Sequence, residues 1–176
     1  MTESTRRGEC VEYQSRTDVY SVGKILAGGK VLLASADTTR KGNLPLWRWQ
    51  EGELSAGVRS GIRRFFDRNR DAPHRILGMH HSPFDEEILG PFNQLFAVPK
   101  PATILKWIKN ESQATVVCCG HIHEVAGIRK ERLGRRCHVL RAGTAGGMHG
   151  DKRVYFMLEL QPNGAFSSRR IIYPTP

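Results

Sequence analysis

Two short histidine clusters stand out in the chain: His80-His81, and His121-Ile122-His123 farther on. Neutral imidazole is the commonest side-chain ligand for transition metals. On an extended segment, side chains alternate, so His121 and His123 project to the same side. Gly120 allows the backbone to turn tightly just before them. If the segment ending at His80 lies beside the one ending at His121, three imidazoles converge. A lone histidine is usually packed or solvated, whereas clustered histidines at two strand ends are better explained by a metal ion. His74, His138 and His149 have no such company, although His149 sits in the glycine-rich stretch 142–150 and could approach a substrate. Cys118 and Cys119 immediately precede Gly120, but no Cys-x-x-Cys pair accompanies them. Structural zinc sites normally use such pairs. The apolar run Thr115-Val116-Val117 instead marks these cysteines as buried strand thiols.

The elements that must hold these residues can be read from periodicity. Apolar residues from Val19 to Leu26, the Gly28-Gly29 turn and the run 31–36 predict two strands around a tight connection. Leu54, Val58, Ile62, Phe65 and Phe66 recur at helical spacing over 54–68, with Arg59, Arg63, Arg64 and Arg68 on the other face. The run from Arg75 to Met79 predicts a buried strand that leads directly into His80-His81. Pro101 opens a second helix with Ile104, Leu105, Trp107 and Ile108 as its buried stripe. Residues 115–119 form another short apolar strand. Further strands are expected at 125–129, 137–141, 154–160 and 166–173, with turns at 133–134, 142–151 and 162–164. Residues 1–17 are polar and expected to be loose. The stretches 37–52, with Trp47 and Trp49, and 84–100 are expected to be irregular. The chain is therefore α/β with a strand-rich end. Ligand sites in open α/β sheets lie at the carboxyl ends of strands, where the histidines fall.

Composition narrows the classes. The chain has 176 residues, with 27 Lys and Arg against 17 Asp and Glu, for a net charge of +10. Mean hydropathy is −0.42 and the sequence pI is about 9.9. These values fit a folded globular chain and argue against disorder. No apolar run is long enough for a membrane helix, and the first residues carry no secretory signal pattern. Four cysteines are too few for a disulfide scaffold, so reduced thiols and a cytoplasmic location are expected. The excess positive charge favours anionic partners such as phosphorylated metabolites, nucleotides or nucleic acid. It is spread out, with denser groups at Arg63-Arg64, Arg68 and Arg70 and at Arg129-Lys130, Arg132, Arg135 and Arg136.

Gly78-Met79-His80-His81-Ser82-Pro83 resembles the strand-end HH-x-P motif of calcineurin-like metallophosphoesterases. Cys119-Gly120-His121-Ile122-His123-Glu124 resembles their later GH-x-H motif. The run 31–37, the stretch Gly52 to Ser55 and the segment Arg141 to Thr144 fit the same pattern, so the likeness covers most of residues 18–173. It implies a metallophosphoesterase-like β-sandwich flanked by helices, with residues 18–176 as the C-terminal half of the domain and 1–17 as a loose leader. It implies divalent metal ions (Mn, Fe, Zn or similar), binuclear in the family. His80 and His121 would bind one metal and His123 the other. His81 would stand beside them as the candidate catalytic histidine. The sequence lacks the family's Asp-x-His, Gly-Asp-x-x-Asp and Gly-Asn-His-Asp/Glu motifs, and the surroundings of Asp37 and Asn43 do not match them.

The expectation is a metal-dependent phosphoesterase acting on phosphate mono- or diesters, diesters foremost. Its substrate would be a phosphorylated small molecule or nucleotide, with nucleic acid a further candidate and no membrane involved. Self-association or a partner would supply the missing half. The competing reading is a non-catalytic fragment or pseudoenzyme that binds anions or a protein. A zinc-binding nucleic-acid module on Cys118, Cys119, His121 and His123 is a third reading.

Overall fold

The computed structural model describes residues 10–14, 20–38, 54–81, 83, 101–120, 129–133, 137–141 and 152–174. Seven strands form one mixed sheet: β1 (Cys10–Gln14), β2 (Tyr20–Leu26), β3 (Val31–Ala36), β4 (His74–Met79), β5 (Val116–Cys119), β6 (Arg129–Leu133) and β7 (Cys137–Arg141). Their spatial order is β1-β2-β3-β4-β5-β7-β6. The central strands β3, β4, β5 and β7 run parallel, while β1, β2 and β6 pair antiparallel at the two margins. Helix α1 (Ala56–Arg68) connects β3 to β4, and α2 (Pro101–Asn110) precedes β5. The strands β8 (Lys152–Leu160) and β9 (Phe166–Pro174) form a separate hairpin. This is the α/β class expected from the sequence. No described helix is long and apolar enough to cross a membrane.

Local chemistry explains the element ends. The Ser55 side chain accepts a hydrogen bond from the Val58 backbone N–H at 3.2 Å, so it caps α1. Asn69 closes the helix by donating its side-chain NH₂ to the Phe65 carbonyl at 2.8 Å. The β2–β3 connection passes through Gly28 and Gly29 at φ +64° and +91°, a left-handed bend that glycine adopts without a Cβ clash.

Register decides which side chains share a face. Parallel pairing sets Leu32, Ala34 and Ala36 of β3 beside Arg75, Leu77 and Met79 of β4. Val117 of β5 lies between Leu77 and Val139. Strand side chains alternate, so these residues point one way. Both helices bury their apolar stripes on that face: Val58, Ile62, Phe65, Phe66, Ile104, Trp107 and Ile108 join the sheet residues in a single core cluster. Burying each large side chain contributes roughly 1.5–3 kcal/mol. Gly23 makes the close approach possible, because a Cβ there would meet the Phe65 ring at 2.9 Å.

The hairpin lies against the other face. The His74 Nε2–H donates to the Gln161 carbonyl at 2.6 Å, and the His138 and Phe166 rings meet edge to face at 4.9 Å. Coverage is uneven there. Val116 and Leu140 are buried, while Leu33 and Ile76 are half-buried and Ser35 is exposed.

Two strand assignments differ from the sequence reading. Residues 10–14, expected to be loose, form β1 and pair with β2. The strand expected at 125–129 overlaps β6 (Arg129–Leu133) at Arg129, β6 reaches farther toward the C-terminus, and residues 125–128 lie outside the described residues. Both are edge strands: β6 carries four charged residues in five, and β1 offers only Val11 and Tyr13 as a short alternating pair. Such strands are held by backbone pairing to a neighbour and carry little apolar signature. The stretches around Trp47 and Trp49, 84–100 and 142–151 also lie outside the described residues.

Candidate functional site

Four parallel strands end side by side, and their carboxyl ends carry the chemistry. Asp37 and Thr38 follow β3, His80 and His81 follow β4, Gly120 follows β5, and Arg141 is the last residue of β7. The β3–β4 register runs to Ala36 and Met79, so Asp37 and His80 stand one position beyond the last pair.

Two hydrogen-bonded links hold these ends together. Gly120 N–H donates to the His80 carbonyl at 3.0 Å, which ties the end of β5 to the end of β4. Thr38 links β3 to β4. Its Oγ1 accepts from His81 N–H at 3.1 Å and lies 2.8 Å from His81 Nδ1. Thr38 is fully buried and His81 is 3% exposed. A buried hydroxyl and a buried ring nitrogen satisfy one another here, which avoids the penalty of about 1–3 kcal/mol for an orphaned polar group. With Nδ1 engaged by Thr38, any proton transfer by His81 falls to Nε2.

His80 contrasts with its neighbour. Its ring packs edge to face on His81 at 4.8 Å between centroids, yet the residue is exposed. Of the adjacent pair, His80 therefore has the solvent access that a metal ligand needs, and His81 has the fixed geometry of a supporting group. Arg141 places a cation at the same edge of the sheet. It is fully buried, and desolvation lowers its pKa from the ordinary value. Cys119 is its register partner on β5.

The two adjacent cysteines project to opposite faces of β5, because successive strand residues alternate. Cys119 lies with the helix-side core, and Cys118 pairs in register with Gly78 and Leu140. Burial pushes the Cys118 thiol pKa up. A single metal held by both cysteines is disfavoured because the two side chains point to opposite faces.

His121, His123 and His149 lie outside the described residues. Among the described residues, no group of three or more His, Cys, Asp or Glu side chains could hold a metal ion. Of the histidines expected to bind metal, His80 alone lies within the described residues, with its imidazole exposed. Sequence reasoning identified His80 and His81 but not Thr38. Its one sequence signal was position, two residues past an apolar strand. Arg141 entered only as part of a longer run, and its burial is a tertiary fact.

His74 and His138, which had no functional context in the sequence, lie at the opposite end of the sheet and serve as contacts to the hairpin. A comparison with protein-family models gives no match, and a comparison with curated proteins gives none.

Proposed function

We propose that this chain carries the histidine-bearing part of a metal-dependent phosphoesterase site and hydrolyses phosphate esters, diesters in preference to monoesters. The observation that supports this most is the Gly120 N–H bond to the His80 carbonyl. It sets Gly120, the residue before His121, beside His80, which is compatible with the two motifs sharing one site. The motifs resemble those of calcineurin-like metallophosphoesterases, and the reading draws its reaction class from that resemblance.

In this reading His80, His121 and His123 are the metal ligands. A divalent ion held there supplies Lewis-acid polarisation of a phosphoryl oxygen and a water acidic enough to ionise near neutral pH. His81 is held at Nδ1 and at its backbone N–H by Thr38, and in this reading it supports the site. The Arg141 cation and the net charge of +10 favour an anionic substrate at this edge. The carboxylate-bearing motifs missing from the sequence would come from a partner chain of different sequence.

The test is hydrolysis of bis(p-nitrophenyl) phosphate by chelator-stripped protein, with and without added Mn²⁺. His80→Ala and a His121→Ala/His123→Ala double variant run alongside. Metal-dependent turnover that falls about 10³-fold in both variants is the expected result. No turnover from folded protein at any concentration or with any metal would overturn it and favour the anion-binding module instead.

A further inference from the structure

A second cleft lies at the amino ends of β4, β5 and β7, away from the histidine edge. The six residues of β4 separate the two ends by roughly 20 Å. The cleft has a volume of about 990 Å³ and runs between the α1–β4 connection, the C-terminal end of α2 and the turn of the β8–β9 hairpin. That is the upper end of the range for small-molecule sites and well beyond what inorganic phosphate needs.

Its lining is charged and aromatic. Arg70, Arg75 and Lys109 supply three cations against one carboxylate, Asp71. Arg70 and Lys109 are exposed at the rim, while Arg75 is half-buried. The Arg75 guanidinium is anchored by donating to the Gln113 side-chain oxygen at 3.2 Å and to the Arg70 carbonyl. Gln113 is itself fixed by donating to Asp67. Two of the carbonyls at the α2 terminus are engaged. The Trp107 carbonyl accepts from Glu111 and Ser112 N–H at 2.8 and 2.9 Å, and the Ile108 carbonyl accepts from Ser112 Oγ at 2.8 Å.

On the hairpin side, the half-buried rings of His138 and Phe166 meet edge to face at 4.9 Å and line the cleft, where an incoming ring would pack against one of the two. Asn163 commits its side-chain oxygen to Ala165 N–H at 2.9 Å, so its NH₂ remains as a donor at the mouth. Cys137 also lines the cleft, but burial pushes its thiol up to about 12, so it offers no nucleophile at neutral pH. The cleft is equipped to bind rather than to react.

We infer that this cleft binds a nucleoside monophosphate, with its phosphate between Arg70, Arg75 and Lys109 and its base against His138 and Phe166. This site is separate from the proposed phosphoesterase site and does not depend on it.

The experiment is calorimetric titration of the 176-residue chain with AMP in excess EDTA, which keeps any metal-dependent reaction silent. One saturable site is expected, with adenosine and inorganic phosphate each binding at least about 10-fold more weakly. An Arg70→Ala/Lys109→Ala double variant, changed only at exposed positions, should lose about 10-fold in affinity with its circular dichroism intact. Phe166→Ala should weaken AMP several-fold, and Phe166→Tyr should retain it. The inference is overturned if AMP fails to saturate below about 1 mM. Equal affinity for AMP and inorganic phosphate, or unchanged AMP binding in the double variant, would overturn it as well.

Discussion

The two ends of the parallel strands bury polar groups for different purposes. At the amino end, His74 is 2% exposed and donates Nε2–H to the Gln161 carbonyl, pinning the hairpin to the sheet. Its Nδ1 has no hydrogen-bond partner among the described residues. At the carboxyl end, His81 is equally buried, but its Nδ1 and its backbone N–H both meet one hydroxyl, that of Thr38. An exposed imidazole, His80, stacks directly on it. Burial alone therefore says little about a histidine's role. A buried ring with one bond and one orphan nitrogen suits docking. A buried ring with its backbone and its Nδ1 fixed, next to an accessible one, suits support of a site.

This contrast can be tested by perturbing each end. The largest expected effect is at Cys137, which opens β7 at the amino end. Burial raises its pKa from 9.0 to about 12. Its thiolate population near pH 8 should fall about 10³-fold, with a matching loss of reactivity toward a disulfide reagent until urea unfolds the chain. The same shift fixes a sign for stability. The unfolded thiol ionises near 9 and the folded one near 12, so the native state loses stability as pH rises through that interval. Below 9 this group contributes no slope, and replacing it with serine should flatten the alkaline fall in melting temperature. Fast labelling of native Cys137 would show that its thiol, which lines the cleft at that end, is not desolvated in the folded chain.

His74→Ala comes next, with an expected loss of about 2–3 kcal/mol in urea unfolding from the missing hydrogen bond and the vacated volume. Turnover per folded molecule should stay level, because the change lies far from His80. A drop in turnover without a stability change would erase the distinction between the ends. The smallest effect is expected for Thr38→Val, about 1–2 kcal/mol, since it leaves His81 N–H and Nδ1 without the hydroxyl. Here turnover should fall with stability, and Thr38→Ser should restore both. Restoration of stability but not turnover would mean that the clamp is purely architectural.

Much of this arrangement was legible beforehand, and the exceptions share a cause. The helix expected at 54–68 follows from its apolar spacing and is found at 56–68, with the Ser55 cap supplied by the structure, and β4, β5 and β7 follow from short apolar runs. These elements bury side chains, and burial writes itself into composition. The strands β1 and β6 were missed or displaced because they pair at the sheet margins. Their backbone bonds impose no apolar pattern. Thr38 was missed for a similar reason, since its partner lies 43 residues away and nothing local marks the contact.

The sequence by itself determined the α/β class, the apolar strands and the placement of paired histidines immediately after two of them. Those follow from local periodicity and residue chemistry, which act over a few residues. Only the tertiary structure decided that His80 is accessible while His81 is locked to Thr38. It also decided that Arg141 is a buried cation and that the hairpin packs on His74 and His138. These outcomes depend on register between distant strands, and a shift of one residue would send each side chain to the other face.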